Sequence, residues 1–493
     1  MPEPSAPSNP SASQAAAISA VVAADRSTPE AGPSAASNAE PAAAEAGGLV
    51  LTSEQAAAVQ AMAAFLEHPT QRAFLLKGYA GTGKTTCIQL LIRKHAGKRK
   101  VVLTAPTNKA ARVLREVSSR HAGRQLDCTT IHRLLGLVVE PNTSDGSLMT
   151  VEAGDSSKPG WKLRRYDLVI LDECSMVGRD LWAKVQARIT NADHGIKLIC
   201  MGDPGQLPPV NEPASPTFGI SPSATLTKPV RQATGNPLGE LILEIRPADP
   251  PENTPEVQLW SRPDKYNAER TEGYWLYQDQ DAWRDTMLKA FSSAKFKADA
   301  DYARVLAWRN DRVNEMNSLI RTHLLGPDAP AMQAGDRLIT REPVFDPGGS
   351  RAVLLATSEE GEVVSIREGQ HCGAEVFWVK LRPVDQSYTV DVPVLTAGAR
   401  VRYQAEVERL LGLAKSAKPN QSKGAWGRYW QYRQRWAELA QAYALTVHKS
   451  QGSTFGSVFV DDRDIQWNRN RAESAQCRYV ALSRASQRAF VLV

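Results

Sequence analysis

The sequence predicts an α/β protein built on parallel sheets, and three observations support this fold class. Short β-branched runs such as RAFLL, KVVLTA and YDLVILD alternate with helical segments. These runs are apolar along their whole length, as strands covered on both faces are. The same texture stops near residue 250 and returns near the carboxyl end, in ALTVHKSQG, SVFVDD and YVALSRA. A chain of 493 residues is long enough for about three domains.

The composition excludes several classes of protein. Apolar residues make up 42% of the chain and charged residues 23%, which excludes a fibrous or wholly disordered protein. No apolar run approaches the roughly 18 residues of a membrane span, so no membrane partner is expected. The six cysteines form no CxxC pair, which argues against a disulfide framework or a zinc site. A reducing, cytoplasmic setting is therefore expected.

Residues 1–48 differ from everything that follows. They consist almost entirely of Ala, Ser, Pro, Glu, Gly and Asn, without an aromatic residue, and we expect a disordered tail. This tail is acidic, so the net charge of +6 comes from the remainder, which is compatible with a polyanionic partner. The folded chain is expected to begin at LVLTSEQ, where Thr52 or Ser53 can cap a helix.

Two segments read as β-structure outside the parallel sheets. In residues 334–395, runs such as RLIT, EVVSI and EVFWVKL are separated by the turn residues DPGG and EEG, which predicts a small antiparallel barrel. A helical stretch is expected at 397–444. Residues 137–165 are rich in turn residues and contain LVVE and SLMTVE, which could pair as a β-hairpin.

The sequence GYAGTGKTT fits the pattern of a phosphate-binding loop between a strand and a helix. Its glycines let backbone N–H groups surround phosphates, and the helix N-terminus adds positive potential. Lys84 can reach the β- and γ-phosphates, and the Thr85 hydroxyl can bind magnesium. The residues expected to hold the nucleotide here are Gly78, Ala80, Gly81, Thr82, Gly83, Lys84, Thr85 and Thr86.

Two further strands end in polar residues that would complete such a site. YDLVILDE ends in Asp172, expected to bind magnesium, and Glu173, placed as the general base on the attacking water. ICMGDPGQLPPV ends in a loop where Gln206 could orient water or sense a γ-phosphate. Taken alone, a terminal Asp-Glu or a Gly-Asp-Pro-Gly sequence could be an ordinary turn. The phosphate loop upstream favours the catalytic interpretation.

Together, these segments resemble the motifs of superfamily 1 helicases, most closely the RecD-like and Dda-like branch, over about residues 50–493. LTSEQAAAVQ is similar to the family's adenine-reading segment, with Gln55 as the base contact. VRQATGNPL carries Arg231, which matches an arginine that touches the γ-phosphate. YALTVHKSQGSTF is similar to the fifth motif, in which Gly452 is expected to contact the nucleotide. YVALSRASQ is similar to the sixth, with Arg484 as arginine finger.

The resemblance implies two RecA-like domains with ATP and Mg²⁺ between them. It also implies an SH3-like barrel at the antiparallel segment and a duplex-splitting pin at the hairpin, with Leu148 and Met149 as guesses for its tip. A surface hairpin without a role in unwinding fits the local sequence equally well. The expected domains are a tail at 1–48, domain 1A at 49–228, domain 2A at 229–333 and 396–493, and the insert at 334–395.

A track for single-stranded DNA follows from the same resemblance. Its expected residues are Pro106, Thr107, Asn108, Lys109, His132, His448 and Lys449. As isolated residues, the lysines could be solvated and the histidines structural. The stretch 423–436 mixes aromatic and basic residues, and its helical spacing favours a core face over a base-stacking platform.

The resemblance therefore implies a monomeric ATP-dependent helicase that translocates 5′ to 3′ on single-stranded DNA and opens forked duplexes in replication, recombination or repair. Two alternatives remain open from the residues. One is a translocase on DNA or RNA that remodels protein–nucleic acid complexes without unwinding. The other is a non-catalytic binding protein that uses ATP as a switch. The tail could tether a protein partner or simply aid solubility.

Overall fold

The computed structural model describes residues 45–46, 49–97, 99–121, 126–142, 148–152, 163–190, 195–230, 236–249, 251–349, 352–384 and 386–493. The expected disordered tail falls almost entirely outside these residues. Its described part is strand β1 (Glu45–Ala46), which pairs antiparallel with β2 (Leu49–Val50). Helix α1 (Ser53–Glu67) follows, and Thr52 caps it by accepting a hydrogen bond from the Gln55 N–H.

Six parallel strands form the first sheet, in the spatial order β10-β3-β9-β8-β4-β5. Three of them are buried at every position, as the unbroken apolar runs predict. The strands are β3 (Ala73–Gly78), β4 (Val101–Ala105), β5 (Asp127–Thr130), β8 (Leu168–Leu171), β9 (Lys197–Gly202) and β10 (Ser223–Leu226). The helices of this unit after α1 are α2 (Lys84–His95), α3 (Asn108–His121), α4 (Ile131–Leu134) and α5 (Arg179–Thr190).

A β-hairpin leaves this first unit after α4. Strands β6 (Leu137–Pro141) and β7 (Leu148–Glu152) pair antiparallel, with Pro141 opposite Leu148 and Glu140 opposite Met149. The predicted hairpin is thus confirmed, and both guessed tip residues lie at its loop end. The intervening residues 143–147 and the following residues 153–162 lie outside the described part of the chain.

The second six-stranded sheet has the order β11-β12-β23-β22-β13-β21 and is parallel except for β11. Together, the two sheets confirm the α/β class with two parallel-sheet domains. The strands are β11 (Lys265–Tyr266), β12 (Gly273–Tyr277), β13 (Ala303–Ala307), β21 (Ala444–Thr446), β22 (Phe455–Asp461) and β23 (Ala485–Leu492). The helices are α6 (Pro237–Glu244), α7 (Gln280–Ser292), α8 (Ala294–Ala298), α9 (Asn310–Leu325), α12 (Asp462–Gln466) and α13 (Arg471–Ser483).

The inserted segment forms a five-stranded antiparallel sheet with the order β19-β18-β17-β14-β20, plus a separate pair, β15-β16. This confirms antiparallel structure in the predicted segment, while its assignment as an SH3-like barrel stays a prediction. The strands are β14 (Arg337–Thr340), β15 (Val344–Phe345), β16 (Val353–Leu355), β17 (Glu360–His371), β18 (Ala374–Pro383), β19 (Val390–Leu395) and β20 (Leu439–Gln441).

The helical prediction for residues 397–444 was too long. Helices α10 (Ala397–Ser416) and α11 (Pro419–Arg433) fill its first part, but the chain then turns into β20 and β21. Strand β20 is extended because it pairs with β14, about a hundred residues earlier, and local sequence does not reveal such a partner.

The aromatic stretch on α11 belongs to the core, as its helical spacing indicated. Trp426 and Tyr429 are each 5% exposed and pack with Leu410 and Ala414 of α10.

Among the described residues, no helix has the length and apolar character to cross a bilayer. In each parallel sheet, the carboxyl ends of the strands meet at one edge, and functional residues of such folds collect at that edge.

Candidate nucleotide and nucleic-acid site

The phosphate loop (residues 78–86) connects β3 to the first turn of α2. Gly81 and Gly83 have φ angles of 76° and 83°, a backbone conformation that favours glycine. A Cβ atom on Gly83 would lie 2.4 Å from Gln55 Nε2, so a larger residue would also clash. Gly83 caps α2 without a side chain, which leaves the first-turn N–H groups of Thr85 and its neighbours suited to an anion.

Gln55 packs against this loop. Its Nε2 donates to the Thr82 carbonyl oxygen at 3.1 Å, and its Oε1 accepts from the Thr52 N–H at 3.0 Å. Only 3% of the residue is exposed. Gln55 therefore supports the loop from behind, and its contact with adenine stays a prediction.

Three acidic side chains and one lysine occupy the end of the first sheet. Lys84 Nζ donates to the carbonyl oxygens of Gly78 and Tyr79. Burial, and next the charge of Glu173, raise the pKa of Asp172, and Lys84 offsets part of the rise. Burial likewise raises the pKa of Asp203, again against Lys84. The negative charge of these acidic groups is therefore not fully compensated by the single ammonium group of Lys84.

Glu173 adopts φ = 50°, a left-handed conformation that is uncommon for a residue with a side chain. Its N–H donates to Asp172 Oδ1 at 2.8 Å. Backbone strain of this kind concentrates at functional sites, where the surrounding structure enforces it. The structure thus brings the predicted magnesium ligand and the predicted general base together at the end of β8.

Asp203 is a site residue that the sequence prediction did not name, since only Gln206 was singled out in this segment. The residue is fully buried; its Oδ1 accepts from the Gly205 N–H at 2.9 Å and its Oδ2 from the Tyr479 hydroxyl at 2.8 Å. Asp203 follows β9 as Asp172 follows the adjacent β8. The carboxyl ends of neighbouring parallel strands meet at one edge, and that signal could have found it.

Gln206 lies in the same loop, which we call the GDPGQ loop (residues 202–206). It is 6% exposed, and its backbone carbonyl oxygen accepts from Gln476 Nε2 at 2.9 Å. Its side-chain Oε1 is buried with no hydrogen-bond partner among the described residues. A buried acceptor in this state is available to a water or ligand, in line with the predicted role.

The second sheet contributes helix α13, which lies against the phosphate loop. The Tyr479 hydroxyl accepts from the Ala80 N–H at 2.8 Å. Arg484 caps the end of this helix and is 6% exposed. Its guanidinium donates to the carbonyl oxygens of Ser453 and Val480, both at 3.2 Å. The structure therefore places the predicted arginine finger on the element that reaches the phosphate loop, bonded within its own domain.

The predicted strand-contacting residues at the start of α3 differ in their surroundings. Thr107 Oγ1 accepts from the Ala110 N–H at 3.2 Å, and Pro106 and Asn108 flank it at the end of β4. Asn108 is exposed. Lys109 is not solvated: its Nζ lies 2.8 Å from Glu360 Oε1 on β17.

His132, His448 and Lys449 are partly buried. Burial lowers the pKa of each; a second contribution comes from Lys184 at His132 and from Arg341 at Lys449. At His448, Glu473 opposes the effect of burial, with Nε2 and Oε1 3.5 Å apart. The two imidazole groups and the Lys449 ammonium group are thus partly removed from bulk water.

Within the described residues, His448, Glu473 and Cys477 hold possible metal-ligand atoms within 4.8 Å of one another. The Cys477 side chain, however, is fully buried in an apolar cluster of the second domain. Burial raises the pKa of this thiol, so the thiolate that binds metals is disfavoured. The group is explained as core packing of Cys477 beside the contact between His448 and Glu473.

The predicted Gly452 lies against α3. Its φ is 73°, and a Cβ atom there would come within 3.3 Å of the Ala110 Cβ. Gly452 thus allows close contact between the fifth-motif turn and helix α3, which begins at Asn108. The predicted Arg231 lies outside the described residues.

Two family models match the chain in the order that the motifs predict. An AAA domain matches residues 50–258, and a UvrD-like helicase C-terminal domain matches residues 441–492. The ATP-dependent DNA helicase Dda of Enterobacteria phage T4 is 27% identical over 410 residues, which covers 78% of this chain and 86% of that protein. The chain is a superfamily 1 helicase of the RecD-like and Dda-like branch.

Other proteins are similar to this helicase over part or most of its length. The ATP-dependent RecD2 DNA helicase of Deinococcus radiodurans is 32% identical over 197 residues, which covers 38% of this chain and 23% of that protein. The solved Pif1 helicase of Candida albicans is 18% identical, with a TM-score of 0.45, and covers 90% of this chain and 94% of its own.

For this helicase, the sequence missed the residues through which the two domains touch. Asp203 and Tyr479 lie inside segments that resemble family motifs, but no local pattern shows which partners they and Gln476 have hundreds of positions away. The predicted roles of the other site residues stay predictions, because geometry places them without testing what they do.

Proposed function

We propose that this helicase binds Mg²⁺-ATP between its two parallel-sheet domains and uses hydrolysis to move along single-stranded DNA and unwind duplexes. One observation carries the proposal. Helix α13 of the second domain bonds the phosphate loop of the first, through Tyr479 and Ala80. A triphosphate on this loop would lie at a domain boundary, where hydrolysis can be coupled to domain movement.

The acidic groups at the end of the first sheet fit a magnesium ion. Burial raises the pKa of Asp172 and of Asp203, and a divalent cation beside them would favour their ionised forms. Carboxylate and hydroxyl oxygens are the ligands that Mg²⁺ prefers. Asp172 and Thr85 would hold the ion, which would neutralise charge on the β- and γ-phosphates.

The chain's own residues would then divide the work. The phosphate loop and Lys84 hold the phosphates, Glu173 accepts a proton from the attacking water, and Gln206 orients that water. Arg484, assisted by Arg231, would stabilise the charge of the transition state. To do so, the guanidinium of Arg484 must exchange its carbonyl partners for phosphate oxygens.

Strand movement would use the turns that border the cleft. The start of α3 and the turn at His448 and Lys449 touch through Gly452, so a change in domain spacing would alter the grip on a strand. The β6-β7 hairpin would act as the pin. The relatives Dda and RecD2 are named as DNA helicases. The 5′ to 3′ polarity rests on the resemblance to their branch alone.

We also propose a monomeric active form and a cytoplasmic location, and we propose that residues 1–48 tether a protein partner. These points rest on the sequence interpretation. Analytical ultracentrifugation with a forked substrate, and comparison with a chain lacking residues 1–48, would test the first and the third.

The decisive experiment measures ATP turnover without nucleic acid and with single-stranded DNA, single-stranded RNA or duplex. Unwinding of duplexes with a 5′ or a 3′ overhang is measured alongside. We expect stimulation by single-stranded DNA and opening of the 5′-tailed substrate. Displacement of streptavidin without unwinding would favour a translocase, and strand binding without phosphate release would favour an ATP-switched binding protein.

Two variants serve as controls for that experiment. Lys84→Ala should abolish hydrolysis and retain strand binding. Arg484→Ala should retain ATP binding and lose turnover by about 10³- to 10⁵-fold, as arginine fingers do. Full ATPase activity in Lys84→Ala would contradict the proposed site.

A further inference from the structure

The Tyr479 hydroxyl connects three segments that are remote in sequence. It accepts a hydrogen bond from the Ala80 N–H of the phosphate loop at 2.8 Å. It also donates to Asp203 Oδ2 in the GDPGQ loop at 2.8 Å. The side chain itself belongs to α13 in the second domain, and the residue is fully buried. One oxygen atom therefore joins the two domains at the nucleotide site.

Neighbouring contacts fix the partners of this hydroxyl. The second Asp203 oxygen, Oδ1, accepts from the Gly205 N–H at 2.9 Å. Gly205 lies close to the tyrosine ring, since a Cβ atom there would be 3.2 Å from Tyr479 Cε1. One turn earlier on α13, Gln476 Nε2 donates to the Gln206 carbonyl oxygen at 2.9 Å. Helix α13 is thus aligned on the GDPGQ loop at two points.

The chemistry of the hydroxyl suits both of its bonds. Burial, and next the charge of Asp203, raise the pKa of Tyr479, so the proton stays on the phenol and is donated to the carboxylate. If the hydroxyl were removed, an oxygen of Asp203 would be left unpaired and buried, and the partly buried N–H of Ala80 would lose its partner. An unmade bond at a buried polar group is costly, so the three segments are held in one arrangement.

We propose that Tyr479 is a positioning residue for ATP hydrolysis: its hydroxyl locks the phosphate loop to the GDPGQ loop and so sets where α13 presents Arg484. Arg484 caps the same helix five residues later, so a tilt of α13 at Tyr479 changes the position of that guanidinium. The inference rests on the proposed ATPase function and adds a residue to it. Tyr479 acts through Ala80, Asp203 and Arg484.

The test compares Tyr479→Phe with Tyr277→Phe in the full chain. Tyr277 is also a largely buried tyrosine of the second domain, but its hydroxyl faces Thr286 Oγ1 at 3.3 Å, in a pair that involves neither the phosphate loop nor the GDPGQ loop. With saturating single-stranded DNA, we expect Tyr479→Phe to lower kcat by about 100-fold, the order that misplacement of a catalytic group costs. The KM for ATP should change less than about threefold, because the phosphate loop itself is intact.

A double-mutant cycle with Asp203→Ala, which removes the acceptor of the tyrosine proton, separates positioning from general loss of stability. If both residues act through one bond, Tyr479→Phe combined with Asp203→Ala should be about as slow as the slower single variant. Wild-type kcat in Tyr479→Phe, or effects of the two changes that multiply, would overturn the proposal. A matching loss of kcat in Tyr277→Phe would overturn it as well.

Two further measurements separate failure of this inference from unfolding of the variant and from failure of the proposed function. If Tyr479→Phe unfolds at the assay temperature, Asp203→Ala carries the test, since it removes the acceptor of the tyrosine proton and leaves the ring in place, and wild-type kcat in that variant overturns the proposal. The unmodified chain is assayed in parallel. Absence of DNA-stimulated turnover there would refute the proposed function, whereas an active chain with an active Tyr479→Phe refutes only this inference.

Discussion

Two clusters of charged side chains lie between domains in this protein, and the charges of their acids are balanced in opposite ways. At the end of the first sheet, Asp172, Glu173 and Asp203 face Lys84, and burial raises the pKa of both aspartates. At the start of β17, burial alone would raise the pKa of Glu360, but nearby cations lower it far below its ordinary range.

The cations around Glu360 come from the first domain, the second domain and the insert. Lys109 on α3 lies 2.8 Å away, Arg337 on β14 2.9 Å and Arg304 on β13 3.2 Å, each measured between nitrogen and carboxylate oxygen. Only 3% of Glu360 is exposed. The Glu360 cluster therefore joins the first domain, the second domain and the insert by compensated charge.

The difference teaches which cluster is structural and which is functional. A buried acid with three cations needs no further partner, whereas acids with a single lysine need an added cation. The nucleotide site is left short of positive charge that Mg²⁺ and arginine would supply. The predictions below test this contrast, from the largest expected effect to the smallest.

Removing the compensated carboxylate should destabilise the protein most. Glu360→Ala would remove the acid that three cations share, although Arg304 and Arg337 keep their pairs with Asp301. We expect the free energy of unfolding to fall by about 3–5 kcal/mol. Unfolding in urea measures it. As a matched control, Glu362→Ala on the same strand removes a half-exposed pair with Arg382 and should cost less than about 1 kcal/mol. Equal losses in the two variants would erase the distinction between the clusters.

Removing an uncompensated carboxylate should instead increase the free energy of unfolding. The pKa of Asp172 is raised, so the folded state binds its proton more tightly and the ionised form costs stability as pH rises. Without magnesium, Asp172→Asn should therefore be more stable than the parent at pH 8, by about 1–3 kcal/mol, and inactive.

The gain in Asp172→Asn should shrink as pH falls toward the ordinary range of an aspartate, where the parent is protonated too. Melting temperatures measured from pH 5 to pH 8 would show this trend. Asp285→Asn, at an exposed position on α7, is the control and should show no comparable trend. A gain that is constant with pH would mean that charge is not its cause.

The smallest effect concerns two lysines of the predicted strand track. Because Glu360 neutralises Lys109, Lys109→Met should alter the salt dependence of single-strand binding less than Lys449→Met does. Loss of one phosphate contact reduces the slope of log K against log salt by about 0.7. Fluorescence anisotropy over a range of salt concentrations measures both slopes. A larger change in Lys109→Met would show that Lys109 leaves Glu360 when DNA binds.

Part of the site could be predicted because its residues are neighbours in sequence. The phosphate loop, Asp172 with Glu173, and Gln206 each follow a buried strand, and parallel strands collect such residues at one edge. The hairpin at β6 and β7 was predictable for the same reason. Lys109 shows the limit, since its pairing partner lies 251 residues away.

The sequence by itself determined the α/β class, the glycine-rich phosphate loop and the apolar faces of strands and helices, because backbone propensity and hydrophobic period act over a few residues. Only the tertiary structure decided that β20 completes the inserted sheet, that Glu360 gathers three cations and that Tyr479 bonds Ala80 and Asp203. These contacts depend on distance and burial in the folded chain, which set the strength of a hydrogen bond or charge pair and leave no local pattern.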